Sequence, residues 1–122
     1  MTEDMLAQQT LAVIGVSANK SKYGWIVFDW LRQRGVTVYA VNPNRRDVAG
    51  YPCYATVADL PQTPDVVVTV VPPRATRDVV HQALARGVTR FWMQPGSEDD
   101  EAIAEIEAAC AQVVHHDCIM MH

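Results

Sequence analysis

Asp65-Val-Val-Val-Thr-Val-Val71, followed at once by Pro72-Pro73, is the stretch that decides the fold. Its β-branched residues run without alternation, so the strand is expected to be buried on both faces, with helices covering both sides of its sheet. Working outward, Leu11–Val16 is a second apolar run of this kind, and Val36–Val41 a third, halted by Asn42-Pro43. Between them, Lys22–Arg34 carries Tyr23, Ile26, Val27, Trp30 and Leu31 at helical spacing, with Gly35 as its stop. A loop over Asn44–Gly50 leads to a short segment at Pro52–Tyr54 and one helical turn at Val57–Leu60. Downstream, Arg74–Arg86 reads as a helix with Val79, Val80, Ala83 and Leu84 inward and Gly87 after it. Thr89–Met93 is the next strand, closed by Gln94-Pro95-Gly96. Ser97 then caps a helix whose first turn gathers Glu98, Asp99 and Asp100 and whose inner face holds Ile103 and Ile106. Ala111–His115 forms a last short strand.

Strand and helix alternating with short connections require right-handed crossovers. The expected class is α/β: a three-layer, Rossmann-like open parallel sheet of about five strands with helices on both faces. With 122 residues, 49% apolar and 20% charged, the chain has the proportions of one globular domain over 1–122 and not of a disordered segment. No apolar run is long enough to span a bilayer, and the acidic N-terminus is unlike a secretory signal, so a cytoplasmic protein is expected. The net charge of −4 disfavours nucleic acid and anionic membrane as partners. Cys53, Cys110 and Cys118 are odd in number and widely spaced, which fits reduced thiols better than a disulfide framework.

Ligands of such sheets bind beyond the carboxyl ends of the strands. That rule selects Gly15–Gly24, Asn42–Arg46, Pro72–Arg77 and Gln94–Ser97. In the first, Gly15 allows close backbone approach, and Gly24 allows a helix to pack against a strand. Ser17, Lys20 and Lys22 lie between them beside a helix start, which together suit a phosphate. A GxGxxG fingerprint would place its last glycine about five residues after its first. The separation here is nine, and no GxxxxGK[ST] occurs. Where a ribose-gripping acid would stand at the end of the second strand there is Asn42-Pro43. Arg45 and Arg46 follow, and forked guanidinium groups suit a further phosphate.

Gly15-x-Ser17, Tyr23-Gly24, Val41-Asn42-Pro43, Gly50-x-Pro52-x-Tyr54, Val71-Pro72-Pro73 and Gln94-Pro95-Gly96 stand in one order along the chain. In these motifs it resembles the CoA-binding domain family, whose relatives include the N-terminal domain of the succinyl-CoA synthetase alpha subunit. The resemblance implies CoA lying across the strand ends. Gly15, Val16 and Ser17 would then meet the phosphates, and Asn42 and nearby basic residues the adenosine end. Val71, Pro72 and Pro73 would meet the adenine or pantetheine, with Gln94 and Pro95 near the pantetheine arm. Physical reading and resemblance converge, and Lys20, Lys22, Tyr23, Gly24, Pro43, Arg45 and Arg46 complete the candidate set. CoA carries a pyrophosphate, a 3′-phosphate and a thin amphipathic arm, which the lysine-bearing loop, the arginine pair and the Pro72-Pro73 bend respectively suit.

No catalytic constellation is identified. The ligase relatives use a phosphorylated histidine from a further domain and a nucleotide-binding partner subunit, neither of which is expected within this chain. His81 reads as a helix-surface residue. His115, His116, Asp117, Cys118 and His122 are metal-capable, but adjacent histidines on a strand point to opposite faces, so no metal site is expected. Cys118 reads as a small thiol, with a mixed disulfide to CoA as its sharper alternative. The expected function is a stand-alone CoA or acyl-CoA binding protein. Three alternatives stay open: a subunit of an acyl-CoA-processing enzyme, an atypical nicotinamide-dinucleotide module, and a degenerate Rossmann-like interaction module that binds neither ligand. A homodimer or a protein partner also stays open, with Trp25 and Phe28 as either core or dimer contacts.

Overall fold

Val66, Val67 and Val68 have no solvent-exposed surface, as a strand covered on both faces requires. The computed structural model describes residues 2–122. In chain order these form α1 (Thr2–Leu6), β1 (Thr10–Ile14), α2 (Tyr23–Arg32), β2 (Thr37–Val41), β3 (Asp47–Val48) and β4 (Tyr51–Tyr54). After a 3-10 turn at Val57–Asp59 come β5 (Val66–Thr69), α3 (Pro73–Ala85), β6 (Arg90–Met93), α4 (Asp100–Ala108) and β7 (Gln112–Val114). A second 3-10 turn, Ile119–Met121, closes the fold.

The strands make one seven-stranded sheet in the order β3-β4-β2-β1-β5-β6-β7. All neighbours are parallel except the β3–β4 pair. The expected α/β class stands, with two further strands at one edge beyond the five expected ones: β4 is the expected short segment, and β3 arises within the stretch read as loop. Successive side chains of each central strand face opposite layers. Leu11, Val13, Val66, Val68 and Trp92 pack against Trp25, Val27, Phe28 and Leu31 of α2. Ala12, Ile14, Val67, Phe91 and Met93 pack against Val80 and Ala83 of α3 and Ala102 and Ile106 of α4.

Two local expectations need correction, and one element is added at the N-terminus. On α2 the inner face carries Trp25 and Phe28, while Tyr23 and Ile26 are exposed. Trp25 and Phe28 stack with Tyr51 of β4, so both are core residues. The N-terminal residues form a short helix that buries Met5, and Asp4 pairs with Arg90 at 2.9 Å. Finally, Asp99 and not Ser97 caps α4: its carboxylate accepts from the Ala102 amide at 2.9 Å. The Ser97 hydroxyl is buried instead among Thr69 and the Gln94 carbonyl.

Asp99 also receives two bonds from Arg77 of α3, at 3.1 and 3.2 Å, so one carboxylate joins two helices. The Arg77 guanidinium, with the Ala102 amide, holds its carboxyl below the usual range against the opposing effect of burial. A depressed folded-state pKa contributes stability above the unfolded value, near 4, and loses it as pH falls through the folded value. Asp99→Ala is therefore expected to cost about 1–2 kcal/mol at pH 7, lowering Tm by several degrees. The gap to the parent should narrow as thermal melts are repeated from pH 6 down to pH 3.5. An equal gap throughout would remove the ionised carboxylate from the account.

Candidate functional site

The strand order reverses between β1 and β5, and the backbone there is unusually close. Gly15, at φ +100°, would place a Cβ 2.4 Å from the Val70 carbonyl oxygen. Its own amide donates to Val41 O at 2.8 Å, so the first turn is anchored to β2 while abutting the end of β5. Gly24, at the start of α2, would place a Cβ 1.9 Å from Gly15 O. The two glycines thus let the helix start press directly against the end of β1. The intervening loop folds on itself. Ser17 Oγ accepts from the Asn19 amide, and Asn19 Oδ1 from the Ser21 amide and hydroxyl. No side chain caps α2 at Lys22, which leaves its first-turn amides for an external acceptor. Lys22 is exposed, whereas Lys20 lies over the Trp25 ring, 5.2 Å from its centroid. Tyr23 stands out at 55% exposure.

Asn42 ties two loops together. Its Nδ2 donates to Val16 O at 2.9 Å and its Oδ1 accepts from the Asn44 amide at 2.9 Å. The phosphate-type loop and the arginine-bearing loop are therefore positioned by one side chain. Beyond them, three hollows follow one another along the strand ends. The first, about 350 Å³, is lined by Pro43, Asn44, Arg45, Arg46, Cys53 and Ala55. The second, about 280 Å³, shares Pro43 and Ala55 with it and is walled by Ile14, Val41, Val57, Val71, Ala75 and Val79. The third, about 380 Å³, shares Val71 and continues over Pro72 and Pro73 to Pro95, Gly96 and Ser97. Burial pushes the Cys53 thiol up, in keeping with an inert residue in the wall.

Of the sixteen candidate residues, Pro43, Arg45, Arg46, Val71, Pro72, Pro73 and Pro95 line these hollows, while the first-loop residues and Asn42 stand beside them and line none. Gln94 is turned away, because its side chain is buried and directed toward the C-terminal segment. It accepts from the Ile119 amide at 2.7 Å and donates to Cys118 Sγ at 3.3 Å. The walls supplied by Ala55, Val57, Ala75 and Val79 were not foreseen. They come from the turn after β4 and from one face of α3, which carry no chemical signature of their own.

Charge is distributed unevenly. Arg32, Arg77 and Arg90 each pair with a carboxylate. Among the described residues Lys20, Lys22, Arg34, Arg45, Arg46, Arg74 and Arg86 form no ion pair, and all of these except Arg34 and Arg86 lie at the carboxyl end of the sheet. A larger hollow, about 550 Å³, lies elsewhere, between α3 and α4, where Arg77 pairs with Glu101 and His81 with Glu105 beside Asp78. His81 is exposed there, and the Glu105 hydrogen bond raises its pKa. His115 and His116 do not diverge as strand alternation predicts. β7 ends at Val114, and His116 adopts φ +58°, bringing the two Nδ1 atoms within 2.6 Å. Among the described residues no three His, Cys, Asp or Glu side chains are grouped to hold a metal ion, and no helix is long and apolar enough to cross a membrane.

Comparison with known proteins bears on this geometry. The chain is 36% identical over 80 residues to an ADP-forming acetate–CoA ligase of Archaeoglobus fulgidus, a match covering 66% of this chain but only 12% of the ligase. Among solved structures, a conserved hypothetical protein from Pyrococcus furiosus superposes with a TM-score of 0.87 at 37% identity, covering 93% of this chain and 97% of that one. An acetyl-coenzyme A synthetase from Candidatus Korarchaeum cryptofilum superposes at 0.79 and 25% identity, with 93% of this chain on 27% of the enzyme. The family model described as CoA binding domain matches residues 9–122, so the chain belongs to the CoA-binding domain family.

Proposed function

We propose that this chain binds CoA or an acyl-CoA across the carboxyl ends of its strands, as a protein that acts by reversible binding. The observation that carries the reading is the track itself: three adjoining hollows, apolar in the middle, with five of the seven unpaired cations at the same end of the sheet. The pyrophosphate sits at the uncapped start of α2 beside Gly15–Ser17 and Lys22. Its adenine occupies the apolar middle hollow, and its 3′-phosphate meets Arg45 and Arg46. The pantetheine arm runs over Val71–Pro73 toward Pro95. Lys20, held over Trp25, contributes field more than contact. The size of the Pyrococcus furiosus relative supports action as a small separate protein.

Calorimetric titration of ligand-stripped protein tests this directly. Micromolar binding of CoA, about −8 kcal/mol, with no heat from NAD or NADPH is the expected result. Heat with NAD or NADPH alone would overturn it in favour of a dinucleotide site. The arginine assignment has its own test. A charge-assisted bond is worth about 1.5–3 kcal/mol, so the parent should prefer CoA over dephospho-CoA by roughly tenfold or more. Arg45→Ala with Arg46→Ala should bring the two affinities together. An unchanged preference would remove the pair from the 3′-phosphate site.

A second reading is favoured by the length of the curated relatives, of which this chain matches a small part. In it the chain is the CoA-binding component of an acyl-CoA-processing enzyme whose other parts lie on a partner. Copurification with an ATP-binding protein, and acyl-CoA turnover only in that complex, would favour it.

A further inference from the structure

We propose that Asp78 reads the nucleobase of the ligand and selects adenine over a 6-oxopurine, with Gln82 as an adaptable second contact. The inference rests on the CoA reading above. The middle hollow is apolar on its strand side, where Ile14, Val41 and Val71 line it. Its polar side chains are Thr56, Asp78 and Gln82. Asp78 and Gln82 stand one turn apart on α3, both exposed, and both also line the groove between α3 and α4, so they form a rim and not a floor. Neither side chain makes a hydrogen bond to the described residues, in contrast to neighbouring Arg77 and His81, which are both paired. An apolar slot with a few convergent polar groups at its edge is the usual form of a site that orients a flat ligand.

The direction of the ligand follows from the hollow that adjoins this one. Pro43 and Ala55 are shared with the arginine-lined hollow, on the side away from α3. A purine whose ribose 3′-phosphate meets Arg45 and Arg46 turns its six-membered ring toward α3. Adenine presents an amino donor at position 6 and an acceptor at N1; hypoxanthine and guanine present an oxygen acceptor at position 6 and an N1–H donor. An ionised carboxylate accepts only, whereas a carboxamide both donates and accepts. Asp78 therefore pairs with the 6-amino group and opposes a 6-oxo group, while Gln82 turns to suit either base.

The test compares CoA with its deaminated analogue, which carries hypoxanthine in place of adenine and keeps the phosphates and pantetheine. Titrated into the full chain, the analogue should bind at least tenfold more weakly than CoA. Asp78→Asn, whose amide flips to meet either base, should reduce the ratio to threefold or less. Gln82→Ala should weaken both ligands by a similar factor and keep the ratio. Neither substitution removes an internal hydrogen bond, so both variants should melt with the parent. Equal binding of the two ligands to the parent, or a full tenfold preference in Asp78→Asn, would overturn the assignment while leaving the CoA reading intact. A parent that binds neither ligand overturns both.

Discussion

Gly24→Ala is expected to lower Tm by roughly 10–15 °C and to abolish ligand binding. The usual expectation for a glycine inside a helix is the reverse, since alanine is about 1 kcal/mol the better helix former. Here the added Cβ would lie 1.9 Å from Gly15 O and 2.8 Å from its carbonyl carbon. The obstacle is backbone, not the end of a flexible side chain, so relief requires moving either α2 or the end of β1. Both are held in place. Gly15 is bonded to Val41 and closely packed on Val70, and α2 is locked by Trp25, Val27 and Phe28 in the core. Overpacking of this severity costs about 3 kcal/mol, which exceeds the propensity gain and converts to the stated shift for a domain of this size. A thermal melt decides the sign. If the variant were as stable as the parent, the contact between helix start and strand end would be looser than described, and the first loop would lack the fixed shape that the proposed phosphate binding requires.

That contact shows where the sequence was readable and where it was not. The central strands are legible because unbroken valine runs suit few environments other than a sheet buried on both faces. The glycines are legible for a related reason: their positions follow the strand-turn-helix order. What periodicity does not determine is which of two apolar stripes on a helix faces inward. On α2, Tyr23, Ile26 and Trp30 are spaced as well as Trp25 and Phe28, and it is the packing of distant elements, the central strands and Tyr51 on β4, that favours the second stripe. Capping of α4 is ambiguous for a similar reason. Ser97, Asp99 and Asp100 all have suitable oxygens, and the choice is made by Thr69, which engages the serine, and Arg77, which engages Asp99. Motif reading pointed to segments at the strand ends, some of whose residues line the hollows, yet it missed the middle hollow that would give the proposed site its shape. Ala55, Ala75 and Val79 are ordinary residues whose importance comes from where the 3-10 turn and α3 are placed around them.

Ala75 provides the strongest test of that hollow. Ala75→Phe is expected to weaken CoA binding at least a hundredfold, a loss of about 2.7 kcal/mol, while leaving the fold nearly unchanged. The position is half-buried on α3, and its side chain borders space and not the packed core. Phenylalanine is a poorer helix former than alanine by about 0.5 kcal/mol, but its ring covers apolar wall at Val41, Val57 and Val71. Burial of that surface at about 25 cal/mol per Å² offsets the propensity loss. A ring in the hollow takes the volume proposed for adenine, so affinity for CoA and for dephospho-CoA should fall together. That pattern differs from loss of the two arginines, which should act on the 3′-phosphate alone. The pairing of the two variants separates shape from charge. If Ala75→Phe bound CoA as the parent does, the base would lie outside the middle hollow and the ligand would be held by its phosphates and its arm. If both ligands are lost while the melt is preserved, the apolar wall and not the surrounding charge supplies most of the affinity.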